Sequence, residues 1–148
     1  MDMKRTLLAM CALACPGVSP ALGQGPCFEA AAARYQIPAE LLVAIARTES
    51  GLRADAIGRN EDGSEDLGLM QINSWWLPHL ARYGLTREDL TDPCTNVEVG
   101  AWILAQEIRR FGYGWEAVGA YNAGPAPDSA PARRRYAAQV ARRMEVRP

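Results

Sequence analysis

The sequence lacks an excess of charge of either sign and has almost no histidine. Sixteen Lys and Arg residues stand against 17 Asp and Glu, which leaves a formal net charge of −1. Nucleic acids and anionic membranes attract clusters of basic residues, so neither partner is expected. His79 is the only histidine and no Cys-x-x-Cys pair occurs, so we expect neither a zinc site nor any other metal or cofactor.

A long apolar run is also missing, and a chain of 148 residues has room for one domain. The apolar segment from Leu7 to Ala14 is too short to span a bilayer. A basic pair precedes it and Ala21-Leu22-Gly23 follows, a pattern typical of a secretory signal peptide. We predict a signal peptide at 1–23, a mature domain at 24–148 and a periplasmic protein. Secretion or a lipid anchor are the alternatives.

The chain has four cysteines, of which Cys11 and Cys15 would leave with the signal peptide. Only Cys27 and Cys94 then remain. In an oxidising compartment two cysteines allow a single intramolecular pairing. The sequence therefore predicts a Cys27–Cys94 disulfide.

Beyond the predicted signal peptide, most of the chain has the apolar spacing of α-helices, with one polar, Gly-rich interruption. Asn60 to Gly63 has the composition of a tight turn between short extended segments, which predicts a small β hairpin. Gly68 to Asn73 is predicted to form a short helix, and Asn96 to begin the longest one. Together these elements predict an α+β fold in which helices dominate.

Glu49 is the first candidate for chemistry. Leu42, Ile45 and Glu49 share one face of a helix that ends at Gly51, so a carboxyl group lies on an apolar stripe in the last turn. Desolvation and the negative end of the helix dipole both raise the pKa of such a group. A carboxyl that keeps its proton near neutral pH is suited to protonate a glycosidic oxygen. The alternative is a surface glutamate that turns to solvent.

Four motifs occur in a fixed order along the chain. They are Glu49-Ser50, Gly68 to Ile72 (Gly-Leu-Met-Gln-Ile), Ala120 to Gly124 (Ala-Tyr-Asn-Ala-Gly) and Tyr136. In these motifs the chain resembles the soluble-type lytic transglycosylases of the lysozyme-like superfamily, especially the small ones of secretion and conjugation systems. The segment 60–76 is also similar to the active-site hairpin of animal lysozymes.

The resemblance implies a lysozyme-like fold with the hairpin beside the cleft. It also implies an enzyme that cuts the β-1,4 bond between N-acetylmuramic acid and N-acetylglucosamine in peptidoglycan and leaves a 1,6-anhydromuramic acid end. Glu49 would act first as acid and then as base. Asp66 is the candidate second carboxyl, as in a hydrolytic muramidase, or else a turn residue that caps backbone amides. A non-catalytic glycan-binding assembly component is the remaining alternative.

The same resemblance implies a set of substrate-binding residues around Glu49. These are Ser50, Met70, Gln71, Asn73, Tyr121, Asn122 and Tyr136. Structural roles are the alternative for several of them: Ser50 could end its helix, and both tyrosines could be buried with satisfied hydroxyl groups. We expect a monomer that acts on glycan strands and opens the wall locally, in association with an envelope-spanning secretion or conjugation complex.

Overall fold

The structure is a computed structural model that describes residues 25–145, so the predicted signal peptide at 1–23 lies outside the described residues. The helices are α1 (Gly25–Tyr35), α2 (Ala39–Ser50), α3 (Leu77–Leu80), α4 (Pro93–Phe111), α5 (Trp115–Ala123) and α6 (Ala130–Glu145). The strands are β1 (Ile57–Arg59), β2 (Glu65–Leu67) and β3 (Ile72–Asn73). Short 3₁₀ turns lie at Ser74–Trp76, Ala81–Tyr83, Asp89–Thr91 and Pro127–Ser129. The predicted, mainly helical α+β fold is confirmed.

The three strands form one antiparallel sheet in the order β1, β2, β3. The predicted turn closes the first hairpin: the Asn60 amide donates to the Ser64 carbonyl (2.9 Å) and the Gly63 amide to the Asn60 carbonyl (3.0 Å). Asp66 lies in the central strand, opposite Gly58 in β1 and Asn73 in β3.

The predicted short helix from Gly68 to Asn73 is wrong, because the segment forms a turn followed by β3. Gly68 and Gln71 have φ angles of +74° and +50°, in the left-handed region that a right-handed helix cannot contain. The Gln71 side chain stabilises this turn, since its Nε2 donates to the carbonyls of Gly68 (2.9 Å) and Ala56 (3.2 Å).

The predicted start of the longest helix at Asn96 is also wrong, since α4 begins at Pro93. Proline costs no hydrogen bond at the first position of a helix, and the Asp92 side chain caps the first turn by accepting from the Thr95 amide (2.8 Å).

Asn96 is instead a buried link between α4 and the segment after the sheet. Only 1% of Asn96 is exposed. Its Oδ1 accepts from the Met70 amide (2.8 Å), and its Nδ2 donates to the carbonyls of Leu67 (2.8 Å) and Leu90 (2.9 Å). These bonds satisfy backbone groups that the turn leaves unpaired, and they fix the Gly68–Ile72 segment against the helices.

One core joins the helices. Helix α4 packs against α1, α5 and β3, while α6 packs against α2 and α5. The largest fully buried side chains are Leu42, Ile45, Leu67, Leu69, Met70, Ile72, Leu90, Val97, Leu104 and Val140. A Cβ atom at Gly119 in α5 would lie 2.4 Å from the Arg133 carbonyl oxygen, so glycine permits the close approach of α5 and α6. This packing places the α6 side chains next to the end of α2.

The predicted Cys27–Cys94 disulfide is confirmed. It joins α1 to the first turn of α4, with the two Cα atoms 4.9 Å apart and 67 residues apart in sequence. A bridge across a loop of that size restricts the unfolded chain and stabilises the fold by roughly 3–4.5 kcal/mol. No helix within 25–145 combines the length and the apolar character needed to cross a membrane.

Candidate active site

The last turn of α2 holds Glu49 at the edge of a cleft. Gly51 has a φ of +63° and ends the helix directly after this turn. Ser50 is buried, and its hydroxyl donates to the carbonyls of Leu69 (2.8 Å) and Ala46 (3.1 Å). Ser50 therefore ties the end of α2 to the segment that follows the sheet, and its side chain does not line the cleft.

Two hydrogen bonds reach the Glu49 carboxyl from the other end of the chain. The Tyr136 hydroxyl in α6 donates to Oε1 at 2.5 Å, and Nδ2 of Asn122 in α5 donates to the same atom at 3.4 Å. Burial raises the pKa of Glu49, and the nearby charge of Asp66 acts in the same direction, while the two hydrogen bonds lower it. The net shift is upward, as the sequence predicts, and the carboxyl faces the cleft.

The two predicted tyrosines have different partners. Tyr121 in α5 donates its hydroxyl to the Met70 carbonyl (2.7 Å) and lines the cleft. Tyr136 is 6% exposed and lies on the far side of Glu49, where Arg135, Gln139 and their neighbours line a second, smaller pocket of about 290 Å³. Burial raises the pKa of both phenols well above the usual range, so both stay neutral donors at physiological pH.

Met70 and Gln71 contribute to the site mainly through the backbone turn they form. The Met70 side chain is fully buried against Gly100 of α4, where an added Cβ would lie 2.8 Å from the Met70 side-chain atoms. Gln71 lines the cleft, but its Nε2 is occupied by backbone carbonyls, as described above. Its Oε1 lies next to Gly58 of β1.

Asp66 holds the hairpin together through side-chain amides. Its Oδ1 accepts from Nδ2 of Asn73 (2.9 Å) and its Oδ2 from Nδ2 of Asn60 (3.0 Å). The Ser64 hydroxyl accepts from the same two amides, and Oδ1 of Asn73 caps the Trp75 amide (3.0 Å). The alternative structural role of Asp66 therefore takes another form, because its donors are side-chain amides and not backbone amides. Asn73 likewise uses its whole amide within this network.

These elements enclose a cleft of about 660 Å³. Of the predicted site residues, the cleft brings together Glu49, Asp66, Gln71, Asn73, Tyr121 and Asn122. Ser50, Met70 and Tyr136 stand behind its wall and support it. Within residues 25–145 no group of three or more His, Cys, Asp or Glu side chains is arranged to hold a metal ion.

Sequence reasoning missed two buried charged residues, one that lines the cleft and one that fixes a loop beside it. Glu107 in α4 is buried and lines the cleft. Arg133 in α6 is buried as well, and it fixes the loop after α5 by donating to the carbonyls of Gly124 (3.3 Å) and Ala126 (2.7 Å) and pairing with Glu116 (2.9 Å). The signal for Glu107 was its spacing, since it follows the apolar Leu104 by three positions on the inward face of α4.

Comparison with known proteins places the chain in a family. Residues 26–143 match the family "Transglycosylase SLT domain". The chain is 49% identical over 115 residues to the invasion protein IagB of Salmonella typhimurium, covering 77% of this chain and 72% of that protein. It is 43% identical over 125 residues to the protein IpgF of Shigella flexneri, covering 84% and 82%. It is 45% identical over 123 residues to the X polypeptide of Escherichia coli, covering 82% and 71%.

Among solved structures, the fold is similar to that of the lytic transglycosylase Slt of Pseudomonas aeruginosa, determined by X-ray as an inactive mutant. The TM-score is 0.65 at 24% identity, and the match covers 80% of this chain and 23% of that one. The chain thus spans about a quarter of that protein's length, and this likeness shows the lysozyme-like fold. With the family match over residues 26–143, the chain belongs to the Transglycosylase SLT domain family and is a lytic transglycosylase, as its four motifs predicted.

Proposed function

We propose that this lytic transglycosylase cuts the β-1,4 bond between N-acetylmuramic acid and N-acetylglucosamine in peptidoglycan and leaves a 1,6-anhydromuramic acid end. The observation that carries the proposal is the environment of Glu49. Its carboxyl is desolvated in a cleft, its pKa is raised, and two neutral donors approach one of its oxygens.

A single carboxyl in this environment suffices for both proton transfers. Protonated Glu49 donates to the glycosidic oxygen, the bond from that oxygen to C1 breaks, and the departing sugar keeps the proton as a hydroxyl. The Glu49 carboxylate then accepts the proton of the 6-hydroxyl as that oxygen bonds to C1 and closes the anhydro ring. The carboxyl regains its proton and no water is consumed. A hydroxyl on the same ring competes well with water because its effective concentration is high.

Tyr136 and Asn122 stabilise the ionised form of Glu49, which the second stage of this cycle uses. Burial favours the protonated form of Glu49, which the first step needs. The hydrogen bonds from Tyr136 and Asn122 favour the carboxylate, which forms when the proton leaves. The opposing effects keep the pKa of Glu49 raised without making the ionised form inaccessible.

A hydrolytic muramidase is the second candidate, because Asp66 lines the same cleft as Glu49. In that reaction Asp66 would attack C1 or stabilise the positive charge there, and water would complete the cleavage. Against this role, each Asp66 oxygen already accepts a hydrogen bond that closes the hairpin. We therefore favour the transglycosylase reaction, in which Asp66 keeps its hydrogen bonds in the hairpin and takes no part in the chemistry.

Digestion of purified sacculi tests the proposal. We expect released muropeptides whose muramic acid ends are lighter by one water than the hydrolytic products, as measured by mass spectrometry. The Glu49→Gln protein, digested in parallel, should release almost none. Predominantly hydrated products with a reducing end would show a muramidase instead.

We also propose that the protein acts in the periplasm and opens the wall locally for an envelope-spanning secretion or conjugation machine. The Cys27–Cys94 bridge supports an oxidising compartment, and the name of the Salmonella relative connects that protein with invasion. Cell fractionation with thiol alkylation tests the location. The processed, exported protein should carry no alkylated cysteine without reductant, and a cytoplasmic protein with all four of its cysteines alkylated would contradict the proposal.

A further inference from the structure

Glu107 is a buried carboxyl group in the wall of the cleft. It lies in the inward face of α4 and is 8% exposed. Its side chain lines the cleft together with Ile103, Gly124 and Pro125. Within residues 25–145, its Oε2 is the one buried side-chain nitrogen or oxygen atom without a hydrogen-bond partner.

The surrounding protein does not supply the missing partner. Burial raises the pKa of Glu107, and the charges of Arg110 and Arg133 oppose this with a smaller effect. Arg133 directs its donors to Glu116 and to the loop after α5, and Arg110 is exposed and lines the cleft. A buried carboxyl without a donor destabilises the folded protein, and such groups occur in native structures chiefly where function requires them.

The cleft is the side from which a donor can come. The last torsion of a glutamate side chain is soft, so a small rotation presents either oxygen to the cleft. N-acetylhexosamines carry hydroxyl groups and an acetamido N–H that donate hydrogen bonds, and their ring faces are apolar. Pro125 is exposed and lines the same cleft as Glu107, so it offers an apolar surface for such a face.

We propose that Glu107 is a substrate-binding residue that accepts hydrogen bonds from the hydroxyl or acetamido N–H groups of an N-acetylhexosamine unit seated against Pro125 in the cleft. This subsite rests on the proposed action on glycan strands. Such a subsite would make the cleft prefer sugars that carry hydrogen-bond donors at that position.

The test measures binding without turnover. In the Glu49→Gln protein, we would compare Glu107→Met with Gln106→Met by calorimetric titration of peptide-free glycan strands. Gln106 is the adjacent residue of α4 and does not line the cleft, so it is a matched control. Loss of a hydrogen bond to a charged group weakens binding by about tenfold or more. We expect that loss for Glu107→Met and a change within twofold for Gln106→Met.

Thermal melting separates binding from a structural role. Glu107→Met removes an unpaired buried carboxyl, so the proposal expects a Tm equal to or above that of the parent. A lower Tm with an affinity within twofold of the parent would overturn the proposal. If Glu107→Met does not fold, Glu107→Ala, which is smaller and also lacks an acceptor, decides: weaker binding supports the subsite and unchanged binding refutes it.

Kinetics with Glu49 intact keep this inference separate from the proposed function. Glu107→Met should raise KM on glycan strands and leave kcat nearly unchanged, since the residue binds ground state and transition state alike. A fall in kcat with unchanged KM would contradict a binding role. Failure of the proposed function would appear instead as hydrated products from the protein with both residues intact.

Discussion

Glu49 and Asp66 line the same cleft, and their surroundings are built in different ways. Glu49 receives its hydrogen bonds from Asn122 and Tyr136, which are 73 and 87 residues away in sequence. Asp66 receives its hydrogen bonds from Asn60 and Asn73, which are 6 and 7 residues away. The Glu49 site therefore depends on the packing of α2, α5 and α6, whereas the Asp66 network belongs to one small sheet.

This difference indicates a catalytic role for Glu49 and a structural role for Asp66. A carboxyl that is desolvated by distant helices has its pKa raised, which makes Glu49 suitable for proton transfer. A carboxyl that bridges two local amides shapes the hairpin, which forms one wall of the cleft. Substitutions in either region, or at the residue that connects them, can test this difference.

The largest effect is expected at Glu49. Glu49→Gln keeps the shape of the side chain but can neither give nor take the proton, so activity on sacculi should fall by at least roughly 100-fold. Circular dichroism and thermal melting should show an intact fold. Release of soluble muropeptides at more than a tenth of the normal rate would remove Glu49 from the central role.

Asn96 tests the connection between the sheet and the helices. Asn96→Ala leaves the Met70 amide and the carbonyls of Leu67 and Leu90 without partners, so we expect the free energy of unfolding to fall by about 3 kcal/mol. Urea denaturation measures this change, with the more exposed Gln106→Ala on the same helix as control. A loss below about 1 kcal/mol would mean that the three bonds are replaceable.

Tyr136→Phe removes one hydrogen bond from Glu49 and keeps the packing of the ring. Activity should fall by roughly tenfold. Because the Tyr136 bond lowers the pKa of Glu49, its loss raises that pKa further. Glu49 must be protonated to act as the acid, so the alkaline limb of the pH–rate profile should move to higher pH. A shift to lower pH would contradict the assigned hydrogen bond.

Asp66→Asn should have the smallest effect. The amide keeps one acceptor for Asn60 or Asn73 and loses the other hydrogen bond of the hairpin, so activity should fall by about fivefold or less. Initial rates on glycan strands measure this. A loss of several orders of magnitude would make Asp66 a nucleophile or stabiliser and favour the muramidase.

The sequence was informative where structure is local. Helix α2 with Glu49 in its last turn, the Gly51 terminus and the turn at 60–63 follow from spacing and from glycine placement. The disulfide followed from there being a single possible pair of cysteines.

The failures lie where distant segments decide the backbone or the burial. The turn at Gly68–Gln71 resembles a helix in composition. Its backbone is held instead by Asn96, which bonds to the Met70 amide and to the Leu67 carbonyl from 26 and 29 residues away. Glu107 and Arg133 are charged residues of the kind usually found at the surface; the spacing of Glu107 on α4 indicates an inward position, but the packing of α5 and α6 decides the burial of Arg133. The intrinsic helix or strand propensity of a residue contains no information about contacts with distant segments.

The central claim is that the sugar's own 6-hydroxyl attacks C1 and that Glu49 is the one residue that accepts its proton. Digestion of sacculi in water enriched in ¹⁸O, followed by mass spectrometry of the muramic acid ends, tests it most directly. The account predicts anhydro ends that carry no ¹⁸O, because no water enters the product. One ¹⁸O atom at C1 of most muramic acid ends would show that water completes the reaction and would contradict the account.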